Sequence, residues 1–493
     1  MNTLQKEARL AATGIAWMTL SHAISFAVAA GLMLVTPRVF GSNDFGRWIL
    51  YRSVIIMMGA IGSLGAVQTM AKLYVEYRAK GDNASAGHVF KAVALLRLGA
   101  AAILAPAGYL ILRSQRPVPF DSMAGLCASF SIVFMNLGVT LLLLPYAERR
   151  RDKLALVRVF EAFVVPLAAL LGYLHAGFVA VPFAVAGGDL LFLLISFVLS
   201  RNHWTWSPGW PAAELWKRVL SFIAWVAVTA TVFSMFSQAI PVVMGLAGFP
   251  ARDIAFVGLG LRLNDALLRS LMALSGALFP SLTVALAQAG LGKARMWQGM
   301  ICRWGAAVLL AAAGLFVWVG PDAVQWVWGA EYAGATPVIT VCLLAAGAMW
   351  MGSQFNQFAL VVNRPIQFTW SVLVLYASFA AALASRIVEP AAAMLVAAIL
   401  FAASGYALHR RADTWRFTDG RRLLFPLLLL LAALAARALR PELLRALPGA
   451  LLWSAVYAAA VLATGSIRVA EIREMIRHVV SDRHGPPRQE AVG

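Results

Sequence analysis

Residues 37–53 read PRVFGSNDFGRWILYRS and stand between two long apolar runs, near 11–35 and 49–70. A short stretch with two glycines that closes one such run and opens the next is a turn between two membrane helices. Runs of roughly 18 to 25 apolar residues, long enough to cross a bilayer core as helix, recur along the whole chain. The 493 residues are 61% hydrophobic and only 13% charged, with mean hydropathy +0.77. A soluble domain carries about 25% charged residues and could not keep this much apolar surface from water. The pattern predicts an all-α polytopic membrane protein with about fourteen transmembrane helices. They fall near 11–35, 49–70, 92–112, 122–145, 155–174, 177–199, 220–245 and 255–282. The remainder fall near 300–319, 337–361, 368–385, 390–408, 423–439 and 448–467, with 155–199 the hardest stretch to divide.

Alternate connections collect the basic residues: 28 Lys and Arg on one side against 9 on the other, with four more inside spans. The excess marks the cytoplasmic side and puts both termini there. The net charge of +19 is thereby spent on orientation and on anionic lipid headgroups, and calls for no nucleic acid. Cys127, Cys302 and Cys342 all fall within spans, with no metal-ligand spacing and no disulfide framework, so neither metal nor cofactor is expected. The first apolar run is too long for a cleaved leader and reads as a span. Residues 468–493 form a basic tail that starts as an amphipathic, membrane-surface helix. Asp44-Phe45-Gly46 spells a kinase metal-binding motif, but the chain has no glycine-rich phosphate loop and no His-Arg-Asp loop. There is no Walker motif, and the outer connections are too short to hold a catalytic domain. Transport is the better expectation.

Ionisable groups inside spans are costly, so they face a cavity or one another. Arg262, Asp265 and Arg269 lie three and four residues apart, on one face of one helix, beside Asn264. They form either a self-neutralising ladder or a cavity wall. Two arginines against one aspartate leave a positive excess that a diphosphate would satisfy. Arg52, one turn inside its span, faces such a cavity or snorkels to the outer headgroups, and Arg97 is expected to snorkel at the inner side. Asp189 follows Gly187-Gly188 near mid-span, and Glu161 has Arg158 one turn away. Both carboxylates, with Asp265, are candidates for coupling ion movement to transport, and His22 is a further relay candidate. Asn136, Gln238, Asn264, Gln354 and Asn356 are the amides available to sugar hydroxyls; Gln238, Asn264 and Asn356 are the main candidates.

The opening stretch recurs in weak form at 248–263, GFPARDIAFVGLGLRL. In both, a glycine turn is followed by an acid, Asp44 or Asp253, and eight or nine residues later by an arginine, Arg52 or Arg262. The two sites sit in the second span of each half, as parallel repeats require. The run Pro37-Arg38-Val39-Phe40-Gly41 through Arg47-Trp48, with Ser63-Leu64-Gly65 and the charged stretch ending in Gly81-Asp82, resembles bacterial polysaccharide and O-antigen flippases. Phe279-Pro280-Ser281-Leu282 and Trp328-Gly329-Ala330-Glu331-Tyr332 carry the resemblance further along the chain. That family is a branch of the multidrug/oligosaccharidyl-lipid/polysaccharide (MOP) exporter superfamily.

The resemblance implies two six-helix lobes, 1–200 and 201–410, around a central cationic cavity, then two helices in 411–467 and the tail. It implies a flippase that moves a polyprenyl-diphosphate-linked glycan across the bacterial inner membrane by ion-coupled alternating access. Membrane lipids are its surroundings, and polysaccharide polymerase and chain-length proteins its expected partners. Two other readings stay open: an exporter of another amphiphile, such as a drug or a peptidoglycan precursor, and a membrane polymerase or ligase.

Overall fold

A computed structural model describes residues 3–116, 120–148, 151–201, 209–226, 232–361, 365–384, 389–411, 427–434 and 446–464. Its decisive local feature is Gly41, at φ 71° and ψ 166° inside an otherwise helical run, α1 (Thr3–Ser63). A residue with no Cβ takes this conformation without clash, so the chain breaks here into two helical arms. The loop expected across 36–48 is therefore reduced to a single non-helical residue, and Asp44-Phe45-Gly46 belongs to the first turns of the second arm.

After α1 come α2 (Ala66–Thr69), a π turn (Met70–Tyr74), α3 (Val75–Ala79), α4 (Asn83–Arg113), α5 (Ser122–Ala147), α6 (Arg151–Ala176) and α7 (Val181–Ser200). Then follow α8 (Ala213–Val226), α9 (Val232–Ala247), α10 (Ala251–Trp328), α11 (Ala335–Val361), α12 (Pro365–Ala384) and α13 (Pro390–Arg411). A last described helix runs Ala446–Ala463, and no strand occurs among the described residues. Local chemistry sets the ends. Asp82 caps α4 by accepting from the Ser85 backbone N–H, and hydrogen bonding from the Ser85 side chain, then from its backbone, holds the carboxyl below the ordinary carboxylate range. Asp121 caps α5 through Ala124. Gly177, at φ 68°, divides α6 from α7, so the stretch that was hardest to divide by sequence is two helices packed on each other.

Among the described residues, seven helical stretches are long and apolar enough to span a membrane, and three shorter apolar helices accompany them. Large apolar side chains such as Ile103, Leu110, Leu174 and Leu451 stay exposed on the helix surfaces, as a lipid-facing protein requires. This is a multi-pass membrane protein. Of the expected span 423–439 only 427–434 is described, and the tail 468–493 lies outside the described residues.

The chain packs as two compact units: Met1–Gly258 with Val327–Tyr332, and Leu259–Trp326 with Ala333–Gly493. In the first, α5 packs on α4 and α7, while α1 packs on α4, α5, α6 and α9. The two similar stretches meet there: a Cβ on Gly46 would lie 1.8 Å from the Ala251 carbonyl oxygen, and one on Gly258 would lie 2.8 Å from Ile49. The basic segments 72–91 and 201–218, assigned to one membrane side by charge, also come together. Arg218 pairs with Glu76 at 2.8 Å, and Lys91 donates to the Gly209 carbonyl.

In the second unit, helical bonding continues through 283–299, between two expected spans. The contacts nevertheless demand a reversal. Asn264 donates to the Cys342 carbonyl, and Trp350 donates to that of Cys302. The two α11 residues are about 12 Å apart along the helix, whereas 38 residues of straight helix would cover about 57 Å. The backbone of α10 therefore turns back between Asn264 and Cys302 into a second arm. Gln298 on that arm reaches Gln354, and Trp453 and Tyr457 of the last helix donate to its Ala311 and Ala307 carbonyls.

Candidate functional site

The second arm of α1 presents Tyr51, Arg52 and Ser53 in succession to the interior of the first unit, and all three are buried. Arg52 meets Asp189 of α7: Nη1 lies 3.2 Å from Oδ2 and 3.4 Å from Oδ1. Asp189 is 2% exposed and Arg52 8% exposed, so this is an ion pair withdrawn from water. The glycines before Asp189 do not act alike. Gly188 abuts the Val165 backbone of α6, where a Cβ would come within 3.3 Å, while Gly187 faces open space. Beside the pair, Ser53 Oγ donates to Gln238 Oε1 of α9 at 3.3 Å, and the Gln238 amide donates to Ser237.

Arg97 does not snorkel. It is 2% exposed, and its guanidinium donates to Thr140 Oγ1 (2.7 Å), Asn136 Oδ1 and carbonyl, and the Ser63 carbonyl at the end of α1. Asn136 and Thr140 are one turn apart on α5 and offer acceptors where the inner headgroups were expected to. That i,i+4 pair of polar residues on a span was the readable signal, and so was the helix end at Ser63-Leu64-Gly65. Leu64 is the one non-glycine residue with positive φ among those described. The buried charges of the first unit are thus Arg52, Arg97 and Asp189, two cations against one anion among the described residues.

In the second unit Arg262 and Asp265 are half-buried and both engaged, and Asn264 is 1% exposed. The Asn264 amide is spent on Cys342, while its Oδ1 is buried without a donor among the described residues. Gln354 is held by Gln298, so three candidate sugar ligands (Gln238, Asn264, Gln354) act as ties between helices in this structure. Arg303, counted by sequence as cytoplasmic, is buried. Glu161 is exposed on α6 and engaged by a neighbour. The side chains of Arg269, Asn356, His22 and Arg158 lie outside the described residues. No group of His, Cys, Asp and Glu suited to a metal occurs among the described residues.

No protein-family model matches the sequence, and no curated protein does. Solved structures do. The chain superposes on lipid II flippase MurJ with TM-score 0.68 at 10% identity, covering 93% of this chain and 99% of that one. An inward-facing multidrug resistance MATE family transporter of the MOP superfamily matches with TM-score 0.65 at 11% identity, over 79% of this chain and 94% of its own. A MOP superfamily transporter from Pyrococcus furiosus matches at 0.56 and 12%, over 81% and 95%. The chain has the MOP-superfamily transporter fold. These structures are of flippases and transporters, and none is named as an enzyme.

Proposed function

We propose that this protein is a flippase for a polyprenyl-diphosphate-linked oligosaccharide, acting in the bacterial inner membrane with both termini cytoplasmic, for surface polysaccharide synthesis. The observation that carries the reading is the likeness to MurJ over 93% of the chain, against 79% for the drug-transporter structure. The surplus of buried arginine in the first unit agrees with an anionic cargo. The lipid tail stays in the bilayer while diphosphate and sugars pass through the protein, and Arg52, Arg262 and Arg269 replace the water the diphosphate loses.

The geometry adds a constraint. One nitrogen of Arg52 serves both oxygens of Asp189, so a diphosphate taking the other guanidinium donors would lie beside that carboxylate, two anions on one arginine. Asp189 must then be neutralised by a proton or cation, which ties the anion's arrival to an ion's. Glu161 and Asp265 are the other coupling candidates. Gene deletion tests the substrate class: the lipid-linked glycan that accumulates on the inner leaflet identifies it. If Arg262→Ala and Arg269→Ala, expressed at wild-type level, both leave surface polysaccharide unimpaired, the diphosphate role of these residues is wrong.

The second reading, export of another amphiphile such as a drug or a peptidoglycan precursor, draws on the likeness to the MATE transporter and equally on that to the lipid II flippase. Drug accumulation in the deletion strain with unchanged surface glycan would favour it.

A further inference from the structure

Pro37 has no N–H, which leaves the Met33 carbonyl one turn earlier without its helical donor. The break at Gly41 ends the first arm of α1, so the carbonyls of 37–40 are those of a helix end, and Ser42 begins a new arm with an unpaired N–H. Three side chains of the short segment Trp328–Tyr332 fill these vacancies. Trp328 Nε1 donates to the Met33 carbonyl at 3.0 Å, and Tyr332 Oη donates to that of Pro37 at 2.9 Å. The Glu331 carboxylate accepts from both Ser42 N–H and Ser42 Oγ at 3.2 Å, capping the second arm as an N-cap side chain would. Tyr173 of α6 takes the Phe40 carbonyl, and Arg252 donates to the Glu331 carbonyl. Tyr332 is fully buried and Trp328 nearly so.

The chain before Val327 and after Tyr332 belongs to the second unit, while this segment packs with the first. We infer that Trp328–Tyr332 is a permanent clasp: it stays docked on the break of α1 throughout the transport cycle, and movement is absorbed at its two ends. The physical ground is the buried Tyr332–Pro37 bond: undocking would orphan that carbonyl away from water, and it would break the part-buried Trp328–Met33 and Ser42–Glu331 bonds as well. Glu331, Trp328 and Tyr332 are then positioning residues, which hold α1 without touching cargo.

The test joins Ser42→Cys to Glu331→Cys with a short bis-thiol reagent, in a background lacking Cys127, Cys302 and Cys342. A second pair, Met33→Cys with Trp328→Cys, leaves Glu331 in place and covers the case in which removing the carboxylate itself prevents folding. The expected result is efficient cross-linking in membranes at every pH tested, with cross-linked protein supporting as much surface glycan as uncross-linked protein. Loss of export on cross-linking, restored by a cleavable reagent's reduction, overturns the inference and makes the segment a releasable latch. Failure to cross-link when both thiols are labelled by a monofunctional reagent also overturns it. Cross-linking yield needs no substrate, so failure of the proposed function leaves this readout intact.

Discussion

Replacing Arg52 by alanine leaves the Asp189 carboxylate buried and unpaired, which costs about 3–5 kcal/mol. Thermal unfolding in detergent should show that loss, and Arg52→Ala combined with Asp189→Asn should be less harmful than Arg52→Ala alone. A double mutant no better than the single one would mean the pair contributes nothing as a pair. Coupling is read in Asp189→Asn alone, which keeps Arg52 for the diphosphate. Proteoliposome transport by that single mutant should lose its dependence on an imposed pH gradient; unchanged dependence would remove Asp189 as the coupling group. The sequence offered each group separately, as an arginine near one span end and an acid near another's middle. Nothing in their spacing, 137 residues apart, pairs them. A buried pair between distant helices is a property of packing, which periodicity does not encode.

At the scale of elements, glycine separates close approach from mere tolerance. Gly46→Ala should lower expression and melting temperature sharply, because its Cβ would overlap the Ala251 backbone, which cannot move aside as a side chain does. Gly31→Ala, with nothing within 4 Å, should be neutral or slightly stabilising by helix propensity. Equal effects in the two variants would contradict the packing of α1 on the start of α10. Tyr332→Phe removes one hydrogen bond to the Pro37 carbonyl while keeping the ring, and should cost about 1 kcal/mol in thermal unfolding. Arg97→Lys keeps the charge but loses the fork that reaches Thr140, Asn136 and Ser63 together, and should melt lower by about 1–3 kcal/mol. Sequence reading located most of these helices because a span's length and apolarity are local. It placed a loop at 36–48 because the residues are polar and glycine-containing, although one positive φ at Gly41 is all that interrupts the helix. It sent Arg97 to the headgroups because the acceptors that keep it buried lie on another helix.

For the whole molecule, hydropathy alone made the membrane class legible, and the order of loose motifs pointed to a transporter fold that the superpositions at 10–12% identity display. Identity that low explains why no sequence comparison finds it: the fold asks for apolar faces, small residues at crossings and a few buried polar ties, which many sequences meet. The cargo was not legible in the same way, since its contacts are side chains scattered over several spans. The completion of α1 by Trp328 has a consequence for biogenesis. The two partners are 295 residues apart, so at ribosomal speeds the first helix waits about 15–60 s before its missing donors are made. During that interval the nascent chain carries a flawed first hairpin. Ribosome-bound chains truncated before 327 should label readily at a cysteine placed at Ser42, whereas chains that extend past α11 should resist. An insertion chaperone that shields early helices would therefore matter more for this protein than for one whose first helix is complete when it emerges.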